Sequence, residues 1–245
     1  MTIRVIAGSF KGRILSTIPG THTRPTTDRA REAWASTITS LRAGGFVGAR
    51  VLDAFAGSGA LGIEALSRGA VSVLFVDNDS RAISVVRKNL SMLGVSNNSG
   101  IRALRADSLA PVAIKQLKAS GPFDCVFLDP PYDYPKQRIG AFLHRLIAVG
   151  LLAEGCLVSY ERRAARAGEQ HGVGDATTVV KLSAALDNQI TTAPAIAESD
   201  ADASSPDPRA SSPSAVWPGA LKMVSCKQYG ITAVEYHLFE PCAND

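Results

Sequence analysis

The chain has 245 residues, the size of one α/β domain with small additions, and its 46% hydrophobic and 20% charged residues exclude a wholly disordered protein. It carries 26 basic and 22 acidic residues, a net charge of +4. His144 and Arg145 interrupt the longest apolar stretch, and the first residues lack the apolar segment of a secretion signal. We therefore expect a cytoplasmic protein without a membrane-spanning helix. The scattered cysteines and histidines predict no metal site.

Positive charge is concentrated at the N-terminus. Residues 1–31 hold six bases and one acid, whereas residues 187–219 hold one base and five acids. Such a basic segment favours a polyanionic partner, although a basic enzyme with a small acidic substrate fits the charge as well. We divide the chain into a basic N-terminal arm and helix over residues 1–45 and a main domain over residues 46–245.

The arm begins with short extended pieces broken by glycines and a proline, and a helix is predicted from Arg29 to about Leu41. Beyond Gly44 and Gly45, short apolar strands alternate with helices. This alternation predicts a doubly wound α/β fold of the Rossmann-like kind, with a mostly parallel sheet covered on both faces. The predicted strands cover residues 51–56, 71–77, 101–106, 123–129 and 156–161, and the helices 58–68, 80–93, 111–118 and 137–149.

Residues 187–219 break this alternation. Ala, Ser, Pro and Asp make up 22 of these 33 residues, a composition that predicts a disordered insertion. Two further strands, over residues 221–226 and 232–239, are joined near Tyr229-Gly230. They predict a hairpin that gives the sheet an antiparallel edge strand.

A glycine-rich turn follows the first strand of the main domain. Gly57, Gly59 and Gly62 satisfy the G-x-G-x-x-G pattern, and Asp77 ends the next strand 20 residues after Gly57, a spacing typical of dinucleotide sites. Asp53, however, precedes the turn, and its carboxylate would repel a pyrophosphate. The same carboxylate would attract the ammonium and sulfonium of S-adenosyl-L-methionine, which we expect to be the cofactor.

The remaining cofactor contacts follow from this choice. Asp77 is expected to accept hydrogen bonds from the ribose hydroxyls, and Asp107 from the adenine amino group. Asp107 is equally explained as a helix cap. The predicted cofactor-binding residues are Asp53, Phe55, Gly57, Ser58, Gly59, Asp77, Asn78, Asp107 and Ser108.

The fourth strand runs into Asp129-Pro130-Pro131-Tyr132, at the edge where open α/β sheets bind ligands. Two prolines fix the backbone and remove two N–H donors. The Asp129 carboxylate and the Pro130 carbonyl could then accept both hydrogens of one amino group, while Tyr132 stacks on a planar base. These three catalytic candidates suit methylation of an exocyclic nucleobase amine. The tetrapeptide alone could be an ordinary turn, but its place behind the glycine turn favours a site.

These motifs resemble the class I S-adenosylmethionine-dependent methyltransferases, and most closely the bacterial 16S rRNA guanine-N2 methyltransferase family. The likeness extends over nearly the whole chain and rests most on the Arg-Pro-Thr-Thr-Asp-Arg stretch. The matching segments are residues 4–13, 23–32, 51–69, 127–132 and 227–230.

The resemblance implies a seven-stranded sheet whose last strand is antiparallel. It also implies methyl transfer to N2 of one guanine in the 16S rRNA of a partly or fully assembled 30S subunit, by a monomer. Residues 187–219 depart from the family pattern, and we expect them to be dispensable for the chemistry. The RNA-binding candidates are Lys11, Arg13, Arg24, Arg29 and Arg31.

Several alternatives stay open at this stage. Arg24 and Arg29 could instead pack against the domain and order the Asp129 loop. The same tetrapeptide chemistry would serve a DNA methyltransferase acting on adenine N6 or cytosine N4. The chain could also be a non-catalytic RNA-binding assembly factor, or an NAD oxidoreductase. Glu161, at the end of the fifth strand, is interpreted as a local hydrogen-bonding residue without a catalytic role.

Overall fold

A computed structural model describes residues 2–19, 27–164 and 217–241. These residues belong to one unit of the chain, which comprises residues 1–164 and 216–245. The strands are β1 (Ile3–Arg4), β2 (Ile14–Leu15), β3 (Arg50–Asp53), β4 (Ser72–Asp77), β5 (Ile101–Arg105), β6 (Phe123–Leu128), β7 (Leu152–Arg163), β8 (Leu221–Tyr229) and β9 (Thr232–Phe239). The helices are α1 (Asp28–Leu41), α2 (Ala60–Ser67), α3 (Ser80–Met92), α4 (Ala113–Leu117) and α5 (Lys136–Ala148).

Seven strands form the main sheet, in the order β5-β4-β3-β6-β7-β9-β8. The first five of these run parallel, and β9 is antiparallel to both β7 and β8. This confirms the predicted fold class. The antiparallel strand β9 lies one position inside the sheet, and β8 forms the edge.

Helices cover both faces of the sheet, as the near-continuous apolar strands require. On one face α1, α2 and α3 bury a cluster built around Trp34, Phe75 and Phe127. On the other face α4 and α5, the latter through Phe142, pack over Leu74 and Val126 of the sheet. The two layers fix the strand ends, which is what a site at the sheet edge needs. No helix within the described ranges is long and apolar enough to cross a bilayer.

The start of the basic arm is docked on the main sheet's helices. The Glu64 carboxylate, fully buried on α2, accepts hydrogen bonds from the backbone N–H groups of Ile6 and Ala7. The Asn89 side chain on α3 accepts from the Ser16 N–H and donates to the Ser16 carbonyl. Whether residues 1–45 act as a separate RNA-binding element stays a prediction.

The ends of several predicted segments differ from the structure. β3 ends at Asp53 because the chain then turns into the glycine loop. β7 covers twelve residues because Leu152 pairs with β6 and because β9 pairs with the chain as far as Arg163. The predicted insertion extends too far, since the Trp217 ring packs 5.3 Å from Tyr160 and 4.5 Å from His237. Residues 187–216 of that prediction lie outside the described residues.

Candidate active site

The carboxyl ends of the parallel strands bring the predicted site residues to one edge of the sheet. Asp53 ends β3 and Asp77 ends β4, while Asp129 directly follows β6. Asp53 is paired in register with Phe127, two residues before Asp129. The structure therefore brings the glycine turn and the Asp129 loop together, as the sequence predicts.

The glycine turn is closed by Asp77. The N–H of Gly57 donates to one Asp77 oxygen at 2.9 Å, and the other oxygen accepts from the Asp79 N–H. Gly57 has φ +53° and Gly59 has φ +82°, left-handed values that side chains with a Cβ rarely adopt. A Cβ added at Gly57 would meet no atom within 4 Å, so the backbone there is open to a ligand.

Asp53 decides which cofactor the turn can hold. Its carboxylate is 2% exposed and accepts the N–H of Gly62, in the first turn of α2, at 3.0 Å. Burial raises the pKa of Asp53 to about 7, the Gly62 hydrogen bond opposes this rise, and the nearby Asp77 carboxylate adds to it. A carboxylate already occupies the helix terminus that would bind a pyrophosphate, which argues against a dinucleotide. The acidic pair fits a cationic group such as the ammonium of S-adenosylmethionine.

Three further cofactor-binding candidates, Phe55, Ser58 and Asn78, follow β3 and β4 at the carboxyl edge of the sheet. Phe55 packs edge-on against Tyr134 with ring centroids 5.8 Å apart, and Asn78 is exposed just after β4. The Ser58 carbonyl accepts a hydrogen bond from the buried Asn89 amide, which holds the glycine turn in place.

The loop after β5 holds Asp107 and Ser108 in different ways. Asp107 accepts the N–H of Leu109, two residues on, and its other oxygen lies 3.4 Å from Arg138, so it makes a local turn and does not cap α4. The Ser108 hydroxyl is 3% exposed and donates to the Ala54 carbonyl at 2.5 Å. The Ser108 hydroxyl therefore secures the loop to the chain after β3, and cofactor binding by Ser108 stays a prediction.

The Asp129 loop directly follows β6 at the carboxyl edge of the sheet. Burial raises the pKa of Asp129 well above its ordinary value, and the nearby carboxylates of Glu161 and Asp53 raise it further. The Pro131 carbonyl accepts from the Tyr134 N–H at 2.9 Å, whereas no backbone donor of the described residues bonds the Pro130 carbonyl. The loop thus offers a buried carboxyl group at Asp129 and, in the next residue, a carbonyl without a backbone donor among the described residues.

A cavity of about 750 Å³ opens beside this loop, within the size range of small-ligand sites. Asp129 and Tyr132 lie on one side of it, α1 on another, and the β8–β9 hairpin on a third. The Tyr132 hydroxyl is 2.7 Å from the Thr232 hydroxyl and donates to Glu161 at 3.2 Å. The residues that line the cavity include Arg29, Trp34, Leu61, Asp129, Tyr132, Ser159, Glu161 and Thr232.

The predicted RNA-binding residues divide into three groups. Lys11, Arg13 and Arg29 are exposed, and Arg29 also lines the cavity, which argues against its packing into the domain. Arg31 is 2% exposed: its guanidinium donates to the Arg4 carbonyl and to Asp28. This burial contradicts a role for Arg31 in phosphate contacts. Arg24 lies outside the described residues.

Sequence reasoning missed several cavity residues. Trp34, Ser159 and Thr232 come from distant parts of the chain and carry no motif, so only the fold brings them together. Glu161 lies within β7, next to the strand whose last residue precedes Asp129, and the two carboxyl groups become neighbours only through the pairing of β6 with β7. Arg163, 5.7 Å over the Tyr132 ring, places a further positive charge near the cavity.

Fold and site together define a class I S-adenosylmethionine-dependent methyltransferase. The family model described as "Conserved hypothetical protein 95" matches residues 3–178, and the chain belongs to this family. S-adenosylmethionine is accordingly the methyl donor, as the acidic pair at the glycine turn allows.

Named relatives agree with this class. Over 130 residues the chain is 38% identical to ribosomal RNA small subunit methyltransferase D of Escherichia coli; the match covers 53% of this chain and 60% of that protein. It is 42% identical over 152 residues to YlbH of Bacillus subtilis, provisionally named an rRNA methyltransferase, covering 62% of this chain and 78% of YlbH. The solved structure of Escherichia coli yhhF, provisionally described as a methyltransferase, superposes with a TM-score of 0.63 at 25% identity, covering 98% and 99% of the two chains.

Proposed function

We propose that this enzyme methylates the exocyclic N2 amine of one guanine in 16S rRNA, within the partly or fully assembled 30S subunit. We include in the proposal that it acts as a monomer in the cytoplasm. The observation that carries it is the position of Asp129 and Tyr132 at a cavity of about 750 Å³. Pro130, the next residue after Asp129, has a carbonyl that no backbone donor of the described residues bonds. The Escherichia coli relative's name supports a small-subunit rRNA substrate.

The chemistry needs an amine that is a better nucleophile than a free guanine amine, whose lone pair is delocalised into the ring. S-adenosylmethionine supplies an electrophilic methyl group. Two acceptors of the chain, the Asp129 carboxylate and the Pro130 carbonyl, accept hydrogen bonds from the two N–H groups of the amine. These bonds orient the nitrogen lone pair towards the methyl group. Asp129, whose pKa is raised, is suited to remove the proton that the amine must lose after transfer.

The cavity positions the base. A guanine in folded RNA has to leave its stack to bring N2 to Asp129, and Tyr132 offers an aromatic face beside the acceptors. Exposed Lys11, Arg13 and Arg29 supply positive charge for the phosphate backbone. The catalytic residues we assign are therefore Asp129, Pro130 and Tyr132.

The test compares the wild type with Asp129→Ala and Asp129→Asn, using tritiated S-adenosylmethionine and 30S particles from cells that lack the gene. We expect a loss of at least about 100-fold in single-turnover rate, with the cofactor dissociation constant changed by less than about threefold in calorimetry. Nucleoside mass analysis should find N2-methylguanosine in wild-type reactions only. Transfer at the wild-type rate by either variant would disprove the role of Asp129.

Duplex DNA serves as the parallel substrate. Label in N6-methyladenine or N4-methylcytosine, with none in 30S particles, would replace the rRNA proposal by the DNA alternative. Tight 30S binding without turnover would favour the non-catalytic assembly factor.

A further inference from the structure

A second carboxylate stands beside Asp129. Leu128, the last residue of β6, is paired with Tyr160 in the parallel strand β7, so the next residues, Asp129 and Glu161, are neighbours at the same sheet edge. Both line the cavity. Burial raises the pKa of each, and the Glu161 carboxylate raises that of Asp129 further. The cavity thus presents two adjacent carboxyl groups to a ligand, and both accept hydrogen bonds from a ligand whose N–H donors favour their ionised forms.

Glu161 is held in place by a hydroxyl group and not by a cation. One of its oxygens accepts the Tyr132 hydroxyl at 3.2 Å, and that hydroxyl also contacts Thr232 at 2.7 Å. Two arginines follow Glu161 in the chain, but Arg162 pairs with Glu235 and Arg163 lies over the Tyr132 ring.

Within the described ranges no basic side chain forms an ion pair with Glu161. A carboxylate that is largely withdrawn from water without a cationic partner is costly unless a ligand donates hydrogen bonds to it. Its position in the cavity, next to Asp129, therefore indicates a ligand with N–H donors on one edge.

Guanine has such an edge. Its Watson–Crick side presents N1–H and the N2 amine next to each other, and both are donors. Adenine and cytosine instead place a ring-nitrogen acceptor beside their exocyclic amine. Two adjacent acceptor groups therefore match guanine. With adenine or cytosine, one acceptor oxygen would face the lone pair of the ring nitrogen, and the two would repel each other.

We propose that Glu161 determines the choice of base by accepting the guanine N1–H, while Asp129 and the Pro130 carbonyl hold the N2 amine. This inference rests on the proposed function, and it assigns a part in substrate selection to a residue that the sequence motif does not contain.

The test uses 2-aminopurine, which keeps the N2 amine but has an acceptor at N1. 30S particles are reconstituted from ligated 16S rRNA carrying guanine or 2-aminopurine at the position that the wild-type enzyme methylates. We expect single-turnover transfer to 2-aminopurine to be at least about 100-fold slower than to guanine for the wild type. The weaker stacking of 2-aminopurine would act in the opposite direction, so it cannot produce this preference.

Glu161→Gln supplies the decisive comparison. Its amide can accept from the guanine N1–H or turn over and donate to the N1 of 2-aminopurine, so the preference should fall to about tenfold or less. Glu161→Leu has neither group, and it should lose activity on guanine without gaining any on 2-aminopurine. Glu154→Gln, an exposed change near the other end of the same strand, is the matched control and should keep the wild-type preference. Calorimetry with S-adenosylmethionine verifies that each variant is folded.

Two outcomes separate this inference from the proposed function. If the wild type forms N2-methylguanosine but transfers to 2-aminopurine as fast, or if Glu161→Gln slows both substrates equally, the role of Glu161 is overturned and the proposed function stands. If the wild type forms no N2-methylguanosine in 30S particles, both are overturned.

Discussion

The carboxyl group of Asp53 is buried near the Asp77 carboxylate, so the ionised form of Asp53 needs a neighbouring cation to be stable. Burial raises the pKa of Asp53 to about 7. Below that pH it is protonated and has lost its attraction for the cofactor's ammonium group. We expect the dissociation constant of S-adenosylmethionine, measured by calorimetry, to rise by up to about tenfold for each pH unit below 7.

Asp53→Asn is the control for this pH dependence. The variant should bind the cofactor at least about tenfold more weakly at pH 8, and its affinity should no longer change between pH 5 and pH 7. An unchanged low-pH slope in Asp53→Asn would assign the titration to another group.

The same group makes a prediction for the stability of the cofactor-free protein. Because the folded pKa of about 7 lies above the ordinary value of 3.8, the folded state holds the proton more tightly between these values. Stability should therefore fall as the pH rises from about 4 to 7, by up to about 4 kcal/mol. Urea titrations of the wild type and Asp53→Asn would measure this, and equal slopes against pH in both proteins would contradict it.

Two residues show where reading the sequence succeeds and fails. Arg31 is predicted to contact RNA, yet Arg31, Trp34 and Ile38 are spaced as one face of a helix and are all buried. That periodicity was available in the sequence. The importance of Glu161 was not, because its neighbours Asp129 and Tyr132 come from other parts of the chain and meet it only through the pairing of β6 with β7.

At the scale of elements, β1 and β2 pair as an antiparallel N-terminal hairpin, and this hairpin depends on a close backbone contact with α2. Gly8 has φ +82°, and a Cβ added there would lie 1.8 Å from the Ser67 carbonyl oxygen. Gly12, in the same segment, has φ +80°, but a Cβ there meets nothing within 4 Å. The two glycines thus share backbone strain and differ in the contact.

Gly8→Ala and Gly12→Ala therefore form a matched pair of variants that separates the contact with Ser67 from backbone strain. Gly12→Ala should lower the free energy of unfolding by about 1 kcal/mol through strain, and Gly8→Ala by at least about 2 kcal/mol more, because the hairpin must move off α2. Hydrogen exchange should show faster exchange at Ile6 and Ala7 in Gly8→Ala alone, since their N–H groups would leave Glu64. Equal unfolding energies for both variants would show that the Ser67 contact is unimportant.

The helices and the parallel strands could be predicted because each carries its own apolar pattern and stop signals. The strand β7 could not be predicted in full. Its first residues include Glu154 and Gly155, which are untypical of a strand, and its last, Arg162 and Arg163, are polar. Arg162 and Arg163 belong to the strand because β9 pairs with the chain from Leu157 to Arg163, whereas the start of the strand is paired through Leu152 with Phe123 of β6. Neither pairing can be seen in the local sequence pattern.

At the scale of the whole molecule, acidic and basic residues are separated along the chain. The exposed bases Lys11, Arg13 and Arg29 belong to the N-terminal segment, while residues 187–219 hold five acids and one base. The composition predicted the acidic segment, but its end was placed too late because Trp217 packs against Tyr160 and His237. A composition count over the whole segment does not single out one tryptophan, so it does not predict that Trp217 is packed.

This boundary makes the last prediction. Replacement of residues 187–215 by a short Gly-Ser linker should leave the thermal midpoint within about 2 °C and the cofactor dissociation constant within about twofold, because the replaced segment holds none of the assigned site residues. A longer replacement over residues 187–219 also removes Trp217 and should cost about 2 kcal/mol or more of stability. Methylation of 30S particles is measured for both. Loss of 30S methylation by the shorter replacement, with cofactor binding intact, would show that the acidic segment takes part in recognising the particle.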